Sequence, residues 1–119
     1  MNISIINYDI ESREADIKFE NQNQQFVAYC PFLKNEKALK NPIIEAFLPI
    51  NQRKIDESEN IIKGDSFYAY KLIGKVISIK DNNAVVSVFG IEIIVDDIPQ
   101  DIKVGDNLYF ETKRLDCIL

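Results

Sequence analysis

In Glu14-Ala15-Asp16-Ile17-Lys18-Phe19-Glu20, apolar and charged side chains alternate without a break. A period of two turns one face to a core and the other to water, which only an extended strand achieves; a helix repeats every 3.6 residues. The same alternation recurs along much of the chain, carried by Ile and Val more than by Leu and Ala. Branching at Cβ costs rotamer freedom in a helix and suits a pleated, half-buried surface. The chain is therefore expected to be all-β. After the amide-rich turn Asn21-Gln22-Asn23 a second run extends from Phe26 to Cys30, so residues 14–30 read as a β-hairpin. Ahead of it, the strand Ile3 to Ile10 changes phase between Ile5 and Ile6, as a β-bulge would produce.

Residues 34–41 show no sustained period and read as a loop with one helical turn at most. Pro42 to Ile50 is strand-like, and its prolines at 42 and 49 restrict it to a sheet edge or place them at strand ends. Residues 51–63 form the longest polar interruption, an acidic loop holding Asp56, Glu57 and Glu59. Phe67 to Lys80 is long for one strand. Its apolar phase changes at Leu72-Ile73 beside Gly74, which a strong bend explains. Asp81-Asn82-Asn83 is a tight turn, Ala84 to Phe89 and Ile91 to Val95 are strands about Gly90, and Val104-Gly105-Asp106 leads into Leu108 to Thr112. The tail Arg114 to Leu119 alternates as well and is expected to pair. Gly64-Asp65-Ser66 and Gly105-Asp106-Asn107 echo one another ahead of a Tyr, but the match is too short to mark a duplication. At 119 residues the chain is sized for one domain: a hairpin and edge strand over 1–50, the acidic loop over 51–63 and barrel strands over 64–119. Ile17, Phe19, Phe26, Ala28, Leu72, Val76, Val86, Val88 and Phe110 are expected inside.

From Gly74 onward, the order of bent strand, Asn turn, hairpin, Pro-containing connection and Val-Gly-Asp step resembles small OB-type and SH3-like β-barrels. The expected fold is thus a small antiparallel, OB-like or SH3-like barrel extended by the N-terminal hairpin. The resemblance implies one kind of function. OB-type barrels hold single-stranded nucleic acid or another extended ligand by stacking it on aromatic side chains. Here Tyr68, Tyr70 and Tyr109 are the stacking candidates, with Phe110 beside them and Lys71, Lys75, Lys113 and Arg114 close in sequence.

Composition removes several function classes. The chain has no histidine, so Ser-His-Asp and Cys-His nucleophiles and most zinc sites are excluded. Ser78 and Lys80 share a strand face, yet an exposed lysine is too basic to activate a serine. An EF-hand count from Asp56 puts Ile61 where glycine is required and Phe67 where glutamate is required. The four glycines, at 64, 74, 90 and 105, are too scattered to cradle phosphate. No catalytic residue, metal site or cofactor is expected, and the chain is read as a non-enzyme.

With 19 acidic and 14 basic side chains the net charge is −5, which disfavours nucleic acid and anionic membranes. The favoured reading is a non-catalytic module that binds another protein, of inhibitor or immunity type where the partner is basic. Its docking residues would be the loop carboxylates Asp56, Glu57, Glu59, Asp96, Asp97 and Asp101. Cys30 and Cys117 are too few for a disulfide scaffold and read as reduced thiols. No stretch reaches the length of a membrane span and no basic leader precedes the first strand, so a cytoplasmic protein is expected. The abundance of Ile, Asn and Lys leans towards a bacterial source.

Overall fold

The computed structural model describes residues 1–119 as strands joined by short connections, with a single 3-10 turn at Glu36–Lys40. The first three strands, β1 (Asn2–Tyr8), β2 (Ala15–Asn21) and β3 (Gln24–Cys30), form an antiparallel meander. Between β2 and β3 the chain turns on Gln22 and Asn23, both with positive φ (52° and 62°), the backbone twist that two-residue hairpins need. That turn fixes the register from Asn21↔Gln24 to Ala15↔Cys30, so Ile17 and Phe19 share a buried face with Phe26 and Ala28. The register of β1 slips between Ile5 and Asn7, where the phase change in the sequence places a bulge, and Ile6 turns outward.

After the 3-10 turn come β4 (Ile43–Ala46), β5 (Ile50–Lys54) and β6 (Asn60–Lys63). Of the two placements open to 42–50, the structure takes the second: Pro42 and Pro49 fall outside the ends of β4 and remove no ladder donor, so β4 lies between two neighbours and is not an edge strand. The acidic loop over 51–63 shrinks to residues 55–59. β5 and β6 occupy the rest, and their largely exposed side chains leave no alternation to read.

β7 (Tyr70–Lys80) organises the rest. Its first half pairs with β6 on one side and β10 (Asn107–Thr112) on the other, and its second half pairs with β8 (Asn83–Val88). β8 turns through Phe89 and Gly90, both at positive φ, into β9 (Ile91–Val95). The tail does pair, as β11 (Leu115–Ile118), antiparallel to β4 and parallel to β3. Gly64 and Gly105 do not play equivalent roles: only Gly105 has a positive φ, of 95°.

The result is one mixed sheet in the order β1-β2-β3-β11-β4-β9-β8-β7-β10-β5, with β6 beside β7. The fold is all-β, as the alternation requires. It differs from an antiparallel barrel in two parallel contacts, β4 with β9 and β11 with β3, and in not closing. The sheet instead curls, because β4 leads into β5 and β10 into β11 across short bends while the β4–β11 and β5–β10 ladders continue. Inside the curl lie 24 buried apolar residues, including all nine expected from the sequence. No helix is long and apolar enough to cross a membrane.

Candidate functional site

The six loop carboxylates do not all lie together. Asp56 and Glu57 are exposed in the 55–59 connection, which is held by its backbone: Ile55 N–H donates to the Asn107 carbonyl (3.0 Å), and Asn107 Nδ2 donates to the Glu57 carbonyl (2.8 Å). Glu59 is half-buried, and its Oε1 accepts the Phe89 N–H at 3.2 Å. Asp96 and Asp97 engage through their carbonyls, which accept from Gln52 Nε2 at 2.9 and 3.3 Å. Asp101 is exposed in the following turn. Glu59 therefore sits at the Phe89–Gly90 end of β9 and Asp96 and Asp97 at its other end, the length of a five-residue strand apart, roughly 17 Å. Glu59 is thus set apart from Asp96 and Asp97.

Two of the three stacking tyrosines are also committed elsewhere. Tyr70 is 5 % exposed, its hydroxyl accepts the Val27 N–H at 2.8 Å, and its ring meets Phe26 edge-on at 6.2 Å. Tyr70 thus fastens β3 to β7. Tyr109 is 9 % exposed, its hydroxyl donates to Glu111 Oε2 (2.9 Å), and the Arg53 guanidinium covers its ring at 4.1 Å. That hydroxyl and an amide hydrogen of Asn51 hold Glu111 below the ordinary carboxylate range, the Asn51 bond being the larger cause. Tyr70 is turned into the core, whereas Tyr109, between the buried Leu108 and Phe110, lies on the opposite face and is covered by Arg53. Tyr68, in the connection ahead of β7, is half-buried.

Tyr68 belongs to a different constellation. The β2–β3 register sets Asp16 opposite Tyr29 on the outer face of the hairpin, and Glu14 immediately precedes β2. Tyr29 donates its hydroxyl proton to Glu14 Oε1 at 2.5 Å. Tyr68 donates to Asp16 Oδ1 at 2.5 Å, while Asn7 Nδ2 donates to Asp16 Oδ2 at 3.0 Å. The two tyrosine rings meet edge to face with centroids 5.7 Å apart. These groups, with Tyr8 and Asp9, line an open cleft of about 310 Å³ that has no cationic side chain in its wall. Arg114 lies over Tyr29, 5.1 Å from the ring centroid, and is already paired with Asp116 at 2.6 Å.

The electrostatics of the cleft follow from these bonds. The hydrogen bond to Glu14, then burial, raises the Tyr29 pKa; burial, then the bond to Asp16, pushes Tyr68 up to about 12. At neutral pH both phenols are neutral hydrogen-bond donors. Such a cleft attracts cations. No group of three or more His, Cys, Asp or Glu is arranged to hold a metal ion.

No protein family, no curated protein and no solved structure matches this chain.

Part of the cleft was readable in advance. A two-residue turn at 22–23 puts Asp16 opposite Tyr29, and Glu14 has the same outward parity as Asp16. The arrival of Tyr68, 52 residues after Asp16, is a tertiary event with no local signature.

Alkaline titration checks this geometry. Tyr68 should ionise near pH 12, and Tyr29, Tyr70 and Tyr109 above the ordinary 10.0. A tyrosine whose folded pKa is raised contributes stability below its unfolded pKa, and that contribution disappears as pH rises from about 10 to about 12. Tyrosinate absorbance should therefore lag that of the unfolded chain, and Tyr68→Phe should remove the last step of the folded-state curve. A Tyr68 that titrates at its ordinary value would show that it is neither buried nor bonded to Asp16 in this way.

Proposed function

We propose that the chain is a non-catalytic binding module that docks a basic protein partner, and that the cleft at the outer face of the N-terminal hairpin receives a lysine or arginine side chain. The observation that carries this reading is the pair Glu14–Tyr29 and Asp16–Tyr68: two carboxylates oriented by tyrosine hydroxyls in an open cleft without a cation. Aromatic faces and carboxylates together suit a guanidinium or ammonium group, which gains both charge pairing and cation–π contact. Asp56, Glu57, Asp97 and Asp101, exposed elsewhere on the surface, would add long-range attraction and raise the association rate at low salt.

The test is a titration with an arginine-rich peptide, followed by NMR. Shifts are expected at Glu14, Asp16, Tyr29 and Tyr68, with affinity falling as salt rises. Glu14→Gln with Asp16→Asn should weaken binding at least about tenfold, as expected for loss of a charge-assisted pair, whereas Asp56→Lys with Glu57→Lys should chiefly slow association. Equal losses from both pairs of changes would mean that only net charge is being read, and the cleft would have no specific role.

A second reading has its own observation. Register places Arg53 beside Tyr109, Tyr109 beside Ile73, Lys71 beside Glu111 and Lys75 beside Asn107, so one outer sheet face carries three cations against one carboxylate. The curl supports an OB-type description of the C-terminal half, in which β7, β8, β9 and the bent pairs β4–β5 and β10–β11 count as five strands of a partly open barrel. On that reading, single-stranded nucleic acid would lie along the Arg53–Lys71–Lys75 face, held mainly through phosphates because Tyr70 and Tyr109 are covered. Salt-sensitive retention on single-stranded DNA, lost on changing those three residues to Glu, favours this alternative. Absence of retention at low salt ends it.

A further inference from the structure

β3 and β11 run parallel with Tyr29 opposite Asp116, so the next residue on each strand, Cys30 and Cys117, lie side by side. Both are fully buried and point to the core face, while Tyr29 and Asp116 point outward. Adjacent strands lie about 4.8 Å apart, within the range of Cα separations that a disulfide spans. Cys30 Sγ donates to the Phe32 carbonyl at 3.5 Å, and the neighbouring Cys30 contributes, after burial, to raising Cys117. The seam they occupy is narrow. A single register pair joins β11 to β3, and beyond it the N-terminal meander is tied to the rest by long-range bonds such as Val27 to Tyr70, Asn21 to Phe89 and Tyr68 to Asp16.

We infer that Cys30 and Cys117 are a latent disulfide site, a covalent staple between the N-terminal meander and the C-terminal strand that forms when a low-molecular-weight disulfide is available. In the structure both are free and buried, as the sequence reading has them, and disulfide formation adds a second, oxidised state. The chemistry balances with glutathione disulfide as oxidant. One cysteine loses its proton and attacks a glutathione sulfur, releasing one glutathione thiolate and leaving a mixed disulfide. The second cysteine, also deprotonated, attacks the protein sulfur of that mixed disulfide and expels the other glutathione. Two protons and two electrons leave the cysteines, one S–S bond forms in the protein, and two glutathione thiols result.

Burial sets the rate. It raises both thiols, Cys117 to about 12, so the thiolate needed for attack is scarce in the closed state. Exchange then proceeds through opening of β11, which has four residues and ends in the exposed Ile118 and Leu119. Once formed, the bond closes a loop spanning most of the chain, the arrangement in which a cross-link constrains the unfolded state most.

The test uses the full chain in two arms, incubated folded with glutathione disulfide and refolded from urea in a glutathione redox buffer. Free thiols are then alkylated and the protein analysed by intact mass and peptide mapping. Refolded protein should be about 2 Da lighter than the reduced form, with no alkylated cysteine and a Cys30–Cys117 cross-linked peptide. Its Tm should exceed that of the reduced protein by at least about 5 °C and return on adding dithiothreitol. Folded protein should reach the same product more slowly. Cys117→Ala should show no oxidant-dependent rise in Tm, and Cys30→Ala should match it, so a folding defect in one variant leaves the other as control. Two alkylated cysteines after refolding, stable glutathione adducts without an internal bond, or a cross-linked form with a lower Tm would each overturn the inference.

Discussion

Phe26→Ala is expected to lower the unfolding free energy by about 3–5 kcal/mol, read from the urea midpoint at unchanged slope. Phe26 is 1 % exposed, stacks on Phe19 at a centroid distance of 5.5 Å and meets Tyr70 edge-on at 6.2 Å. Truncation removes apolar area, leaves a cavity that two strands cannot collapse into, and dissolves two aromatic contacts. The adjacent residue, Val27, donates its N–H to the Tyr70 hydroxyl, so the same change loosens the bond fastening β3 to β7. Phe32→Ala is the comparison. Phe32 is 58 % exposed and touches chiefly the Arg13 guanidinium, so its truncation should cost less than about 1 kcal/mol. Similar losses at both positions would mean that the N-terminal meander does not share the core with β7.

The same contrast explains what the sequence made legible. Where one face is buried and the other wet, alternation names the core: Ile17, Phe19, Phe26 and Ala28 sit where period two puts them, and the turns at Gln22–Asn23, Asp81–Asn82 and Phe89–Gly90 adopt the positive φ that hairpins require. Strands whose side chains are largely exposed on both faces carry no such signal. β5 and β6 are mostly exposed and polar, and their sequence reads as loop. Parallel contacts are hidden for another reason: β4–β9 and β11–β3 join segments distant in sequence, and no turn residue marks them.

The candidate site divides along the same line. Charge counting located exposed carboxylates but not their grouping, because Glu59 and Asp96 are separated by a whole strand whose direction depends on topology. Tyr70 and Tyr109 looked like ligand platforms because aromatic side chains serve cores and surfaces alike, and only the register of β7 with β10 shows which way they face. The Glu14–Tyr29 half of the cleft was available from hairpin parity alone. The Tyr68 half required the connection ahead of β7 to fold back over the hairpin.

Gly74→Ala is expected to cost about 3 kcal/mol although it adds one methyl group. A Cβ at position 74 would fall 2.5 Å from Val86 Cγ1, 2.7 Å from Val88 Cγ2 and 2.8 Å from the Ser87 carbonyl oxygen. Both valines are fully buried and stiff at χ1, and the carbonyl belongs to the β8 backbone, so no flexible side chain can yield. Relief requires β7 and β8 to separate where β7 passes from its β6 and β10 partners to β8, just ahead of the register shift between Val76 and Ser78. Gly74 thus permits the close approach by which one strand serves both halves of the curl. Val86→Ala in the same chain should recover part of the loss, because it removes the nearest methyl group but leaves Val88 and the Ser87 carbonyl in place. A double-mutant cycle should therefore give a coupling of at least about 1 kcal/mol. Simple additivity would show that the glycine is required for some reason other than this approach. Lys71 and Lys75 flank Gly74 on the same strand, so Gly74→Ala should also disturb the Arg53–Lys71–Lys75 face while leaving the cleft at Glu14 and Asp16, built on β2 and β3, in place.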